Sequence, residues 1–307
     1  MAFTYFYYWY DLPDGPHSGA LTDRPAEADA SYRSVDWFKK QLTDMDAAGI
    51  DIALAVYWGD AEPSSDIGLA NMARAASELR RQGRNAPQIA MFLDTGLIGR
   101  WPESQRDFTD VDNRRRFYSL IHTFYSILPR DQWAVVNGRP TVWMWASWFE
   151  IDFDQELFDY VYRRFHEEFG IAPHLVAEAS WRYPTDNGQL DTASPIRIDD
   201  FYVWGASLTG FRDVGTGIAA VGPGYDEREL DGPGRSGRFA QREDGAFYAR
   251  SFEAALASGR RMIVIETWNE FHEASDIADS EEYGRLYIDL TRRYLDQFKA
   301  MYAVDGS

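Results

Sequence analysis

Eight short runs of β-branched and aromatic residues, most of them separated by amphipathic helical stripes, constrain the fold of this chain more than any other feature. They are Phe3–Tyr10, Ile50–Tyr57, Gln88–Leu93, Thr141–Ala146, His174–Ala179, Ile198–Trp204, Gly217–Val221 and Met262–Thr267. Each is almost continuously apolar or aromatic, the pattern of strands covered on both faces. Ser34 stands ready to cap a helix carrying Phe38, Leu42, Met45 and Ala48 that stops at Gly49. Further stripes run through Leu69, Met72 and Leu79, through Phe117, Ile121 and Phe124, and through Leu157, Val161 and Phe165 behind Asp154. Phe252, Ala255 and Leu256 mark a later helix, and Tyr283, Leu286, Tyr287 and Leu290 the last, with Ser280 as its cap.

Strand followed by helix, eight times over, predicts an α/β fold of the (β/α)8 TIM-barrel type, whose usual length is about 250 residues with insertions. The chain has 307 residues and no compositional break, so it reads as one domain over 1–307. The fifth and sixth crossovers, at 182–195 and 207–215, carry no helical stripe and are expected to be irregular. The breaker-rich stretch from Gly222 to Gly245 reads as an insertion loop. A doubly wound open sheet is the alternative, but no Gly-rich phosphate loop follows any strand.

A barrel gathers the ends of its strands on one face, where the loops build the site. Taken in order, those ends bring Tyr8, Tyr10, Trp58, Asp60, Asp94, Glu178, Trp204 and Tyr225 toward one mouth, and finally the segment from Glu266 to Glu273. That last segment is the densest in chemistry. Ile263-Val264-Ile265 leads straight into Glu266-Thr267-Trp268-Asn269-Glu270-Phe271-His272-Glu273. Like charges and burial beside bulky rings both raise carboxyl pKa values, the means by which one acid stays protonated beside one base. A solvated acidic loop rarely interleaves Trp, Asn, Phe and His in this way.

Aromatic residues make up 16% of the chain and gather at strand ends, where flat apolar faces beside carboxylates and amides suit sugar rings. The residues thus point to a carbohydrate as partner, with Trp268, Asn269, His272 and Glu266 joining the substrate-binding set. A glycan-binding barrel without catalysis, or one serving polysaccharide assembly, is the alternative reading.

Other classes fare worse. There is no cysteine, so disulfides, thiolate metal sites and cysteine nucleophiles are excluded. Only five histidines occur, none in a metal-binding spacing, so neither metal nor cofactor is expected. A formal net charge of −18 argues against nucleic acid and acidic membranes as partners. No apolar run of membrane-spanning length and no leader is visible. Localisation stays open: extracellular or periplasmic if a leader has been removed ahead of Met1-Ala2, cytoplasmic otherwise.

The segment Thr267-Trp268-Asn269-Glu270-Phe271-His272-Glu273-Ala274-Ser275, followed by Ser280-x-x-Tyr283-Gly284, resembles the W-N-E-W-H-E-G-[ST] signature of glycoside hydrolase family 99, the endo-α-mannosidase-like enzymes. Tyr7-Tyr8-Trp9-Tyr10, Ala48-Gly49-Ile50-Asp51 and Pro223-Gly224-Tyr225-Asp226 look like further features of that family. The resemblance implies a glycosidase with Glu270 as base and Glu273 as acid. It also implies retaining catalysis, in which the base deprotonates the sugar 2-hydroxyl and a 1,2-anhydro sugar forms. The residues alone allow equally a double displacement, with carboxyls about 5–5.5 Å apart, or inversion at about 6.5–9.5 Å. Phe271 stands where the family usually has Trp, and Ala274 where it has Gly, so the resemblance does not carry the sugar specificity with it.

Overall fold

The computed structural model describes residues 1–186, 188–230 and 236–303. Its centre is a parallel eight-stranded sheet: β1 Ala2–Phe6, β2 Ile52–Tyr57, β3 Gln88–Leu93, β4 Arg139–Met144, β5 His174–Glu178, β6 Asp200–Tyr202, β7 Ile218–Val221 and β8 Met262–Ile265. Hydrogen-bonded neighbours follow the order β7-β8-β1-β2-β3-β4-β5-β6. The two ends of that path face each other, and the sheet is a nearly closed barrel of the TIM type. At the seam Gly217 lies against Asp200 so closely that a Cβ there would sit 2.5 Å from Oδ1, so a larger residue would have to push that carboxylate aside.

Helices α1 Val35–Ala48, α2 Pro63–Arg81, α3 Val111–Ile127, α4 Gln155–Phe169, α5 Ala206–Thr209, α6 Ala246–Ala257 and α7 Leu286–Ala303 lie between or after the strands. Ser34 caps α1 by accepting from Trp37 N, and Gly49 closes it at φ 84°, as the sequence predicts. The irregular crossovers are also as expected. The fifth holds a turn at Ala179–Arg182 and a two-residue pair, Thr185–Asp186 with Gln189–Leu190, and the sixth only the four residues of α5. In the insertion, Tyr225–Asp226 pairs antiparallel with Phe239–Ala240, while 231–235 lie outside the described residues. Ser280 does not cap α7. Its hydroxyl takes Tyr283 N in a turn, and the helix begins at Leu286.

Strand parity sets what faces inward. Phe3 meets Trp143 at 4.9 Å between ring centroids and Tyr5 meets Phe92 at 4.4 Å, filling the barrel. Phe6 instead packs on Trp37 and Phe38 of α1. β1 ends at Phe6, four residues before the sequence-based boundary. Beyond it the backbone of Tyr7 is satisfied by a side chain: its N–H donates to Asn269 Oδ1 (2.8 Å), and Asn269 Nδ2 donates to its carbonyl (2.7 Å). The amide takes the place of a neighbouring strand.

Candidate active site

The mouth of the barrel is built from residues one step past the strands. Asp94 follows β3. Its Oδ1 accepts from Gly96 N (2.9 Å) and its Oδ2 from Trp58 Nε1 (2.9 Å). Burial pushes its carboxyl up to about 6, against the pull of those two donors, with the charge of Glu270 adding to the rise. Trp58 is thereby fixed at its edge, and Arg100 covers one face at 4.3 Å.

Glu266 follows β8 and is 1% exposed. Its carboxylate accepts from Gly205 N (3.1 and 3.0 Å) and Ser207 N (3.2 Å), tying down the loop that carries Trp204. Burial outweighs these donors and raises the carboxyl to about 8. A group whose native pKa lies above its unfolded value stabilises the fold fully below the unfolded pKa, and that contribution fades as pH rises through the native one. Wild-type stability should therefore fall by up to about 1.4 kcal/mol per pH unit between the ordinary glutamate range and about pH 8 on account of this group. Glu266→Gln should flatten that slope in urea titrations run across the window, and an unchanged slope would show that Glu266 is already ionised.

The loop from Glu266 to Ser275 is folded on itself. Thr267 N donates to Ser275 O (2.8 Å), Ser275 N to Glu270 O (3.3 Å), and Glu270 N to Thr267 Oγ1 (2.9 Å). The Glu270 carboxylate, 4% exposed, accepts at Oε1 from His272 N (3.2 Å) and lies 2.7 Å from His272 Nδ1. With the carboxylate ionised, Nδ1 carries the proton. The imidazole stacks on Tyr10 (5.5 Å, 15°), whose hydroxyl donates to Asn269 O (2.8 Å) and accepts from Phe271 N (3.2 Å). Glu273 ends the turn Phe271–Glu273 and is half-buried, within electrostatic reach of Arg238. Ala274 next to it is left-handed at φ 45°, a conformation that glycine adopts without strain.

Tyr7 unites these groups. Its phenol is pushed well above the usual range, first by burial and then by the charges of Glu270, Asp94, Glu273 and Glu266. The charges of four carboxylates from two strand ends thus bear on one phenol. Tyr7 was not among the sequence-derived candidates, although alternation from Phe3 and Tyr5 leads to it.

The same alternation removes Tyr8. It is 2% exposed, its hydroxyl donates to Ser65 O (3.1 Å), and its ring packs on Phe38 and against Gly68 of α2. Trp268 is also turned outward, fully buried with Nε1 donating to Gln41 of α1 (2.7 Å). Neither reaches the mouth. Tyr10 and Asn269 are at the site but 0% exposed, so they hold the loop rather than offer a surface. Glu178 is buried and caps the Ala179–Arg182 turn through Ser180 N (2.7 Å). Asp60 is exposed in the turn Gly59–Ala61 at the rim. Trp204 is half-buried above Tyr5 (4.9 Å) and stacks on Phe92 (6.0 Å, 16°). Tyr225 donates to Glu227 Oε2 (2.8 Å) and lines a side cavity of about 120 Å³ with Asp226, Phe239, Arg242, Ala274 and Tyr283.

Arg242, absent from the sequence-derived set, clamps the loop from behind. It is buried, donates to Asp276 O (2.8 Å), Asp276 Oδ1 (2.9 Å), Asp23 Oδ2 (2.9 Å) and Ala274 O (3.2 Å), and lies against the rings of Tyr283 and Tyr287. Sequence gives no signal for it, since its partners are 219 and 34 positions away. Among the described residues no group of three or more His, Cys, Asp or Glu is arranged to hold a metal ion, and no helix is long and apolar enough to cross a membrane.

The fold is shared with solved structures of a glycoside hydrolase family 99 endo-α-mannosidase from Bacteroides thetaiotaomicron. In its complex with bis-tris propane the match has a TM-score of 0.69 at 16% identity, over 97% of each chain. A second structure of that enzyme gives 0.66, again at 16% identity and 97% of each chain. A glycoside hydrolase-like protein matches with a TM-score of 0.64 at 12% identity, over 95% of this chain and 93% of its own. At such identities the likeness is one of fold. No protein of curated function matches the sequence. A family model described as a domain of unknown function, DUF5010, matches residues 9–305, and the chain belongs to that family.

Proposed function

We propose that this protein is a glycoside hydrolase acting on a polysaccharide or oligosaccharide, with Glu270 as base and Glu273 as acid. The observation that carries the reading is the buried Glu270 carboxylate, held at Oε1 by His272 and followed three residues on by half-buried Glu273 in the same short loop, in a mouth beside the half-buried indoles of Trp58 and Trp204. The fold shared with family 99 hydrolases supports it. In this reading Glu273 protonates the glycosidic oxygen as its bond to the anomeric carbon breaks, and Glu270 takes the proton of the sugar 2-hydroxyl, whose oxygen bonds to that carbon in its place. His272 holds Oε1 of Glu270, so Oε2 is the oxygen that receives that proton. The Tyr7 hydroxyl stays protonated, because burial and the nearby carboxylates hold its pKa well above the usual range.

Incubation of the purified protein with a panel of plant, fungal and bacterial glycans tests the reading. New reducing ends should appear with at least one glycan. A glycan that binds tightly and is recovered intact would instead identify a binding protein.

A further inference from the structure

Trp148 is 59% exposed, in the loop that follows β4. Single apolar side chains on a surface are ordinary, but this one ends a continuous row of rings. From the barrel floor the row runs Tyr5 to Trp204 (4.9 Å), Trp204 to Trp145 (5.9 Å, 73°) and Trp145 to Trp148 (5.5 Å, 67°). The backbone beneath it is pinned. Ser147 N donates to Ser180 Oγ (2.9 Å), Trp181 Nε1 donates to Trp145 O, and Phe149 packs so tightly on Gly99 that a Cβ there would lie 3.1 Å from its ring. An indole held in water by neighbours fixed on both sides is a prepared surface rather than a loose loop tip.

The position of this row decides what it fits. In the strand order β8-β1-β2-β3-β4, the loop bearing Trp148 stands four strands from the loop bearing Glu270 and Glu273, which is the opposite side of an eight-stranded barrel. A sugar held at the two carboxylates cannot touch Trp148. A chain several sugars long, laid across the mouth over Trp204 and Trp145, can. We infer that Trp148 is the distal stacking platform of an extended glycan site, and that the ligand is a polymer or long oligosaccharide rather than a mono- or disaccharide. The inference deepens the proposed hydrolase reading and rests on it for the location of the reacting bond.

Native gels cast with yeast mannan, xylan, soluble starch or β-glucan test it, run with wild type, Trp148→Ala and Trp148→Phe. At least one polysaccharide should retard the wild type, and Trp148→Ala should raise the Kd read from retardation about tenfold, a typical share for an interface tryptophan. Trp148→Phe should recover part of the loss, and the disaccharide of the same glycan should compete equally with wild type and Trp148→Ala. Equal retardation of wild type and Trp148→Ala, or none on any of the four, would overturn the inference. So would a larger species of the wild type in sedimentation that Trp148→Ala dissolves, because a second copy would then cover the ring. Retardation does not require cleavage. If Glu270→Gln and Glu273→Gln turn over glycan at the wild-type rate while the Trp148 effect persists, the hydrolase roles fail and the binding surface stands.

Discussion

Glu270→Gln and Glu273→Gln are each expected to lower glycan turnover by roughly 10²–10⁴-fold or more, the share that general acid–base help alone supplies. Both changes keep the shape of the side chain. The glutamine at 270 can still accept from His272 N, so the loop has no reason to unfold, and the melting temperature should stay near that of the wild type. The two variants separate by leaving group. With Glu273→Gln, substrates carrying an acidic aryl leaving group need little protonation and should recover much of their rate. With Glu270→Gln they should not, because the missing proton acceptor acts on the sugar side. Full activity in both variants would end the assignment. Similar recovery in both would mean that the roles of acid and base are misassigned.

Removing Arg242 should cost stability rather than chemistry alone. Arg242→Ala leaves Asp23 and Asp276 buried without their cation and strips the carbonyls of Ala274 and Asp276 of a donor. Breaking a buried ion pair from one side typically costs about 3–5 kcal/mol, mostly the penalty of the charge left behind. Burial already pushes the Asp276 carboxyl well above the usual carboxylate range, against the attraction of Arg242, so the loss should drive it to take up a proton. Arg242→Lys should recover only part of the stability, since one ammonium cannot spread donors over four acceptors. Adding Asp276→Asn to Arg242→Ala should return some of it. Urea unfolding of the wild type and the three variants measures this, and an Arg242→Ala loss within about 0.5 kcal/mol of zero would show that the clamp carries no net stability. Because the guanidinium holds the carbonyl directly after Glu273, activity should fall together with stability.

Much of the architecture was legible from one-dimensional pattern. Near-continuous apolar runs are what a strand covered on both sides requires, and all eight fall where the structure has strands. Ser34, Gly49 and Asp154 mark helix ends because capping is a local contact between residues close in sequence. The crowding of carboxylates about Glu270 was legible for a similar reason, since Glu266, Glu270 and Glu273 are carried by one short segment. What misled was parity. The run of aromatics from Tyr7 to Tyr10 looks uniform, yet one residue's shift along a strand exchanges the barrel interior for the helical layer, which puts Tyr7 among the carboxylates and Tyr8 under α2.

The sequence by itself determined the alternation of strand and helix, the irregular fifth and sixth crossovers, and the loop in which Glu270 and Glu273 stand. These depend on hydrophobic periodicity and on neighbours within a few residues. The tertiary structure alone decided that Asn269 would finish the edge of β1 through the backbone of Tyr7, and that Arg242 would reach Asp23 across 219 positions. It also decided that Asp94 and Glu266 would be dry enough for their carboxyls to rise to about 6 and about 8. Such outcomes depend on which side chains close a cavity together, and burial is a property of the packed set that no single stretch of residues carries.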